Sequence, residues 1–189
     1  MPLGLLCPDW KDPLNVGAAF RLADAIGASA LVLTGSTPHP PQAKIARTAR
    51  STEKSVAWVW VPDTLNFMDA PAGFYDSHFS NIDFRGSVFT QANAGSPVLP
   101  PVDRHYFLAL ELTDQSESLL DYRLPEGVMA GHEMLWLLAG NEAHGLGQDI
   151  LDRCHASAHL PMYGQNTSMN VGVAMGAAAY LLLEKAKLD

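Results

Sequence analysis

Two places in the last third of the chain put polar side chains just beyond a short apolar run. The first run ends in Gly140-Asn141-Glu142, and the second ends in Leu160-Pro161-Met162 and is followed by Ser168 and Asn170. Short apolar runs of this kind are typical of buried strands, and ligands of open α/β sheets bind beyond the carboxyl ends of such strands. The pattern therefore predicts one small-molecule pocket that is built largely from backbone.

A single cation, Arg21, lies in an otherwise apolar helical stretch, six residues after Asn15. It can form an ion pair with Asp24, three residues further on. It can instead point at a phosphate or a developing oxyanion, which its planar guanidinium fits well. The residues alone leave both interpretations open.

The other polar residues also have simpler structural interpretations. Glu142 can cap the helix that follows it, and Ser168 or Asn170 can cap the last helix, although capping accounts for only one of that pair. Gly172 and Gly176 allow close helix packing, in the core or in a dimer. No cysteine pair has zinc spacing, so no metal site is expected, and the first strand is not followed by a glycine-rich phosphate loop.

Strands and helices are expected to alternate, which predicts a mostly parallel sheet covered by helices on both faces. The expected strands are residues 5–7, 30–33, 56–61, 106–112, 134–139 and 158–162. The first expected helix is capped by Asn15 and ends at Gly27. The other expected helices span residues 42–54, 63–69, 146–154 and 168–187. Residues 66–104 show poor periodicity, with a weak strand signal at 84–91.

Composition predicts a single cytoplasmic domain over residues 1–189. Charged residues make up only 17% of the chain, against about 25% in average domains, which favours a homodimer that hides part of its surface. Two cysteines suit a reducing compartment, and neither a signal peptide nor a membrane span is expected. The net charge of −8 argues against a general nucleic-acid coat, but Lys44, Arg47, Arg50 and Lys54 form a local basic cluster.

Three stretches of the chain resemble the motifs of a known family. They read NVGAAFRLADAIG at residues 15–27, GNEAHGL at 140–146, and LPMYG at 160–164 continuing to SMNV at 168–171. In this order they resemble the SpoU–TrmH group of the SPOUT RNA methyltransferases. That resemblance implies an α/β knot with a C-terminal trefoil, S-adenosylmethionine as the cofactor, and methylation of a ribose 2′-hydroxyl in tRNA or rRNA by a homodimer with shared active sites.

The resemblance also assigns residues to the site. The catalytic candidates are Asn15, Arg21, Glu142, Ser168 and Asn170. The cofactor candidates are Leu110, Glu111, Gly140, Leu160, Met162, Ser168 and Met169. Arg21 matches the arginine proposed to activate the ribose hydroxyl; because arginine stays protonated, we expect it to stabilise the oxyanion rather than act as a base. Many members carry an RNA-binding extension before the first motif, and none is expected here, so substrate choice is assigned to this domain and to residues 66–104.

Two other functions compete with this interpretation. One is an RNA-binding relative that has lost catalysis, which the retained Arg21, Glu142, Ser168 and Asn170 argue against. The other is a nucleotide-cofactor oxidoreductase on a doubly wound sheet, which the missing glycine fingerprint argues against.

Overall fold

The computed structural model of the chain describes residues 1–71, 104–166 and 168–188. Its seven strands form one sheet in the order β3-β2-β1-β6-β4-β7-β5, and every neighbouring pair is parallel. The strands are β1 Leu3–Pro8, β2 Ala30–Thr34, β3 Trp58–Val61, β4 Arg104–Leu110, β5 Glu117–Ser118, β6 Glu133–Ala139 and β7 Ala156–His159. The helices are α1 Pro13–Ile26, α2 Ala43–Ala49, α3 Thr64–Asp69, α4 Glu126–Met129, α5 Gln148–Leu151 and α6 Val171–Leu188, with a 3₁₀ turn at Thr52–Lys54.

Alternate residues of the central strands bury their side chains on opposite faces of the sheet. On one face, residues such as Leu5 and Leu137 pack with α1 and α6. On the other face, Leu6 and Leu138 pack with residues of α3 and α5. Because both faces are covered, the strands read as continuous apolar runs, and the predicted parallel sheet with helices on both sides is confirmed.

Helix α1 begins three residues earlier than the sequence predicts. Asp12 is the N-cap, and its carboxylate accepts a hydrogen bond from the backbone N–H of Leu14 at 2.9 Å. Pro13 occupies the first helical position, which favours this start. The predicted cap, Asn15, is therefore inside the helix, and its side chain is free to serve another purpose. Gly27 ends the helix in the left-handed conformation (φ 62°), as predicted.

Three predicted helices are shorter in the structure. The helix expected at 42–54 ends at Ala49, because Arg50 and Ser51 take positive φ angles of 57° and 74°. The helix expected at 146–154 is limited to α5, and the one expected to start at Ser168 begins at Val171. The short helix predicted at 63–69 is confirmed as α3, with Asp63 as its cap.

Two strands are displaced along the sequence. Strand β7 starts two residues earlier than predicted and ends at His159, before Pro161, and β4 likewise lies two residues earlier. Proline has no N–H for a strand ladder, so the chain leaves the sheet there. The sequence did not predict β5, and the strand predicted at 84–91 lies outside the described residues.

Helices α1 and α6 pack closely within one chain. A Cβ added at Gly172 would lie 3.7 Å from the Ala18 Cβ, and one added at Gly176 would lie 3.8 Å from the Leu22 side chain. The two glycines thus serve the intramolecular contact, which was one of the two interpretations of their spacing. None of the helices in the described part of the chain is long and apolar enough to cross a membrane. The knotted threading of the C-terminal segment stays a prediction.

Candidate functional site

A cavity of about 240 Å³ opens at the carboxyl ends of β4, β6 and β7. Parallel strands place these ends at one edge of the sheet, where a crevice is expected. The cavity is lined by all seven predicted cofactor residues: Leu110, Glu111, Gly140, Leu160, Met162, Ser168 and Met169. Its lining combines apolar side chains with the backbone of the turn after β6, so the structure brings the two predicted strand tips together in one pocket.

The turn after β6 is rigid and forms the wall of the cavity. Asn141 and Gly145 exchange two backbone hydrogen bonds, of 3.1 and 2.8 Å, and the Asn141 side chain donates to the Asp9 carbonyl at 2.6 Å. A Cβ at Gly140 would overlap the backbone of Gly145. Glu111 ties the end of the turn to β4, because its Oε2 accepts from the Leu146 N–H at 2.9 Å.

One hydrogen-bonded chain joins one polar residue from each of the three motifs. Asn170 Nδ2 donates to Asn15 Oδ1 at 2.9 Å, and Asn15 Nδ2 donates to Glu142 Oε1 at 2.8 Å. The donor-to-acceptor direction of this chain of hydrogen bonds is fixed at one end, because Asn170 Oδ1 caps α6 by accepting from the N–H groups of Gly172 and Val173. It is fixed at the other end by the carboxylate, which only accepts when ionised. Asn15, Glu142 and Asn170 therefore form one unit, and Glu142 connects it to the lining of the cavity.

Glu142 also receives hydrogen bonds at the start of α1, from the backbone N–H groups of Lys11 at 3.0 Å and Asp12 at 3.3 Å. It does not cap the helix that follows it, so that interpretation is wrong. Burial by itself would raise the pKa of Glu142, but the hydrogen bonds from Asn15 and the backbone together outweigh it and lower the pKa. Glu142 is therefore a fixed anion at neutral pH.

We expect the Glu142 carboxylate to stabilise the fold in a pH-dependent way. Because its pKa is lower in the folded chain, its contribution is full above the unfolded value of about 4.3 and is lost as the pH falls through the folded value. Glu142→Gln should therefore melt below the wild type at pH 7, and the gap should close below about pH 4. Thermal melts from pH 3 to pH 8 measure this gap.

The matched control is Asp114→Asn. Asp114 is exposed and, among the described residues, has no hydrogen-bond or ion-pair partner. Its variant should melt close to the wild type across the range. If the difference in melting temperature between Glu142→Gln and the wild type stays constant from pH 3 to pH 8, the shape of Glu142 and not its charge stabilises the fold.

The structure does not bring every predicted catalytic residue into this unit. Ser168 is exposed and lines the cavity, but it is not bonded to the three residues of the unit. Arg21 is exposed and is not among the lining residues, and the described part of the chain contains no ion pair between it and Asp24. Asp24 instead accepts a hydrogen bond from Ser55 Oγ at 3.3 Å. The simple ion-pair interpretation of Arg21 is therefore wrong, while its catalytic role stays a prediction.

Sequence reasoning missed several residues that support the site. Trp10 is fully buried, and its Nε1 donates to the Ala139 carbonyl at the tip of β6 at 2.7 Å. Asn141 lies inside the quoted second motif but was given no role, and Lys11 acts through its backbone. A lone tryptophan or backbone group gives no periodic signal, whereas the polar Asn141 next to Gly140 could have been proposed from its type.

His155 and His159 contact different residues, and the two cysteines differ in burial. The Nδ1 atoms of His155 and His159 each have a separate partner, the N–H of Phe107 and the Oγ of Ser116. Burial, with a smaller effect of the nearby Glu142, raises the pKa of the Cys7 thiol, and burial raises that of Cys154 to about 12. Both cysteines are free thiols.

Comparison with known proteins shows which proteins this chain resembles. The model of the SpoU rRNA Methylase family matches residues 92–180, which include the second and third motifs. The 23S rRNA (guanosine-2′-O-)-methyltransferase RlmB of Burkholderia sp is 25% identical over 95% of the chain and 58% of its own length. The 23S rRNA (uridine(2479)-2′-O)-methyltransferase of Streptomyces viridochromogenes is 26% identical over 94% of the chain and 51% of its own length. The chain thus spans a little over half the length of these curated relatives.

Solved structures share the fold over the whole chain. The SpoU methyltransferase AviRb from Streptomyces viridochromogenes, crystallised with the cofactor AdoMet, superposes with a TM-score of 0.73 at 21% identity, covering 100% of this chain and 62% of its own. A structure concerned with 2-OH methylation of C/U34 on tRNA gives 0.71 at 22% identity, covering 99% of this chain and 97% of its own. The matching family model, the order of the three motifs and the shared fold together make this chain similar to the SpoU–TrmH family.

Proposed function

We propose that the chain binds S-adenosylmethionine at the strand-tip cavity and methylates a ribose 2′-hydroxyl in tRNA or rRNA. The observation that carries the proposal is the hydrogen-bonded unit of Asn15, Glu142 and Asn170, which joins the three motifs and is connected to the cavity lining by Glu142. The names of the relatives support this reaction, since they are 2′-O-methyltransferases of 23S rRNA.

The residues of the cavity fit this cofactor. Apolar side chains such as Leu110 and Leu160 suit an adenine ring, and the rigid turn of 140–146 offers fixed backbone groups. Two carboxylates, Glu111 and Glu142, lie in the lining and favour the positive sulfonium. The volume of about 240 Å³ lies just below the range of about 300–1,000 Å³ for small-molecule sites, so part of the bound cofactor would extend beyond the cavity.

The chemistry asks for alignment more than for acid–base catalysis. When bound, the cofactor supplies a methyl carbon that is already electrophilic. The site must hold the ribose oxygen in line with it, and such positioning provides a large part of a rate enhancement. The rigid turn and the capped start of α6 hold the walls of the site. The hydroxyl proton leaves to water while the guanidinium of Arg21 stabilises the oxygen as it gains negative charge.

The position of Arg21 supports a homodimer with shared sites. Arg21 lies about 120° around α1 from Asn15, given about 100° per residue, and it does not line its own chain's cavity. Helices α1 and α6, which pack together, carry exposed apolar side chains, because Leu14, Val173 and Tyr180 are 40%, 60% and 51% exposed. A second copy that covers this face would bring its Arg21 to the cavity. Such an enzyme would work in the cytoplasm, where its RNA substrates are made.

The arrangement disfavours the competing functions. In dinucleotide-binding sheets, the N-terminus of the first helix binds pyrophosphate. Here Asp12 caps that end and Glu142 accepts from the N–H groups of Lys11 and Asp12 just before it, so two carboxylates repel a phosphate from it. The catalytically inactive relative is disfavoured because Asn15, Glu142 and Asn170 are retained and are bonded to each other.

Titration with the cofactor followed by methyl transfer tests the proposal. S-adenosylmethionine should give heat on binding and should raise the melting temperature, since it binds only the folded state; at 100 times Kd the gain is about 2.7 kcal/mol. Incubation with labelled cofactor and total RNA should then place label on ribose, as seen after nuclease digestion to nucleosides. NAD serves as the control ligand and should give neither effect. No heat with millimolar S-adenosylmethionine, or label on bases alone, would refute the proposal.

A further inference from the structure

Helix α2 and the turn after it carry a cluster of exposed cations. Lys44, Arg47, Arg50 and Lys54 are all exposed, and among the described residues none of their side chains has an ion-pair or hydrogen-bond partner. They are four of only 12 lysines and arginines in a chain of net charge −8, and Glu53 is the only acidic residue between them. We call these four side chains the basic face.

The packing of α2 decides that these side chains point outward. Ile45 and Ala49 are buried, and the helix lies so close to α1 that a Cβ added at Gly17 would be 2.6 Å from the Thr48 Cβ. Residues three and four apart share a face of a helix, so Ile45, Thr48 and Ala49 all face α1. Lys44 and Arg47 are left on the opposite side.

The backbone after α2 is held in an uncommon conformation. Arg50 and Ser51 both have positive φ, at 57° and 74°, although the left-handed cap of a helix is usually glycine. Non-glycine residues in this region carry strain that concentrates at binding and catalytic sites. A cation at a position that favours glycine suggests that the charge at Arg50 is used.

The basic face lies next to Arg21. On α1, Gly17 precedes Arg21 by one helical turn and touches α2. Asp24 follows Arg21 by three residues and accepts a hydrogen bond from Ser55, directly after Lys54. Arg21 therefore lies on an exposed strip of α1 that borders α2 and the turn after it, so its guanidinium and the basic face belong to one continuous surface.

We infer that the basic face binds the phosphate backbone of the substrate RNA beside the nucleotide that Arg21 contacts. The inference rests on the proposed function and names the surface that holds its substrate. Charge complementarity favours RNA, because unpaired lysines and arginines that neutralise phosphates supply most of the sequence-independent affinity for nucleic acids. Arg47 and Arg50 add planar, two-pronged donors that fit phosphate oxygens.

The test compares two double variants of the full chain. Arg47→Ala with Arg50→Asn removes two charges from the basic face, and asparagine tolerates the left-handed conformation. Arg104→Ala with Arg123→Ala removes two exposed charges elsewhere, at the start of β4 and after the edge strand β5. Filter binding to unfractionated tRNA and to purified 23S rRNA, from 50 to 200 mM salt, gives the affinity and its salt dependence. Calorimetry gives the affinity for S-adenosylmethionine.

We expect the first variant to bind RNA about 10-fold more weakly and to lose about 1.4 from the slope of log K against log salt, roughly 0.7 for each phosphate contact. Its cofactor affinity should not change, and the second variant should match the wild type. Equal losses in both variants, or an unchanged slope in the first, would overturn the inference. If the RNA-binding result overturns the inference but the wild type still binds the cofactor and methylates RNA, the proposed function stands. If the wild type does neither, the inference and the proposed function are both wrong.

Arg50→Gly separates binding from folding. Glycine adopts the left-handed conformation at no steric cost, so the melting temperature should stay the same or rise while RNA affinity falls several-fold. A merely structural role for Arg50 predicts that RNA affinity is retained in this variant, and that outcome would remove Arg50 from the basic face.

Discussion

Arg21→Ala should lower the rate of methyl transfer by about 100-fold or more, as does loss of an oxyanion donor in other enzymes, while cofactor affinity and melting temperature change little. The structure sharpens this expectation. Arg21 is exposed and makes no ion pair with Asp24 in the described part of the chain, so its removal breaks no stabilising contact. Single-turnover transfer and a thermal melt of the same variant measure both quantities.

Arg21→Lys is the matched variant for the geometry of the guanidinium. It should restore little activity, because an ammonium is a point charge without the two-pronged fork. A variant that transfers methyl groups at the wild-type rate, whatever its stability, would exclude Arg21 from the mechanism.

Mixed dimers test whether Arg21 acts across the subunit interface. Arg21→Ala subunits have an intact cavity, and Glu142→Gln subunits have an intact arginine. If the active site combines both subunits and each variant is inactive alone, a mixture of the two should recover about a quarter of the wild-type activity, since half of the dimers are mixed and each has one complete site. If Arg21 serves its own chain, the mixture stays inactive. Light scattering should give a mass near twice 20.4 kDa for each sample.

Gly140→Ala should destabilise the fold and abolish cofactor binding. The new Cβ would overlap the backbone of Gly145, and the turn is held by its own hydrogen bonds and by Glu111, so it can yield only by distortion. Such overpacking costs about 1–3 kcal/mol, which lowers the melting temperature of a chain this long by roughly 2–12 °C. The loss of cofactor affinity should exceed the loss of stability, because the displaced backbone is the wall of the cavity.

Gly164→Ala is the control, since a Cβ at Gly164 meets nothing within 4 Å. It should change stability by no more than about 0.5 kcal/mol, as is usual for surface substitutions, and should leave calorimetric titration with S-adenosylmethionine unchanged. A Gly140→Ala protein that binds the cofactor as the wild type does would show that the turn after β6 is not the binding wall.

The sequence by itself determined the architecture and the members of the cavity. Apolar runs that alternate with amphipathic helices need cover on both faces, and that need dictates a parallel sheet. Parallel strands bring their carboxyl ends to one edge, so the distant tips at Gly140 and Leu160 could be assigned to one pocket before any contact was known. Leu110 was added to that pocket by the resemblance to the SpoU–TrmH group, and the structure places it in the lining. Two glycines were also correctly interpreted from the sequence. Gly27 takes the left-handed conformation that ends α1, and Gly140 lies where a Cβ would overlap the backbone of Gly145.

Tertiary structure alone decided which polar side chains bond to each other. The sequence offered Asn15 as a cap for α1 and Glu142 as a cap for the helix after it. The fold uses Asp12 as the cap, which frees Asn15 to join Glu142 and Asn170. Cap preferences are local and nearly equal among Asp, Asn and Ser, whereas hydrogen bonds across more than a hundred residues depend on how helices pack. For the same reason only the packed structure shows that Arg21 lies away from its own cavity and beside the basic face.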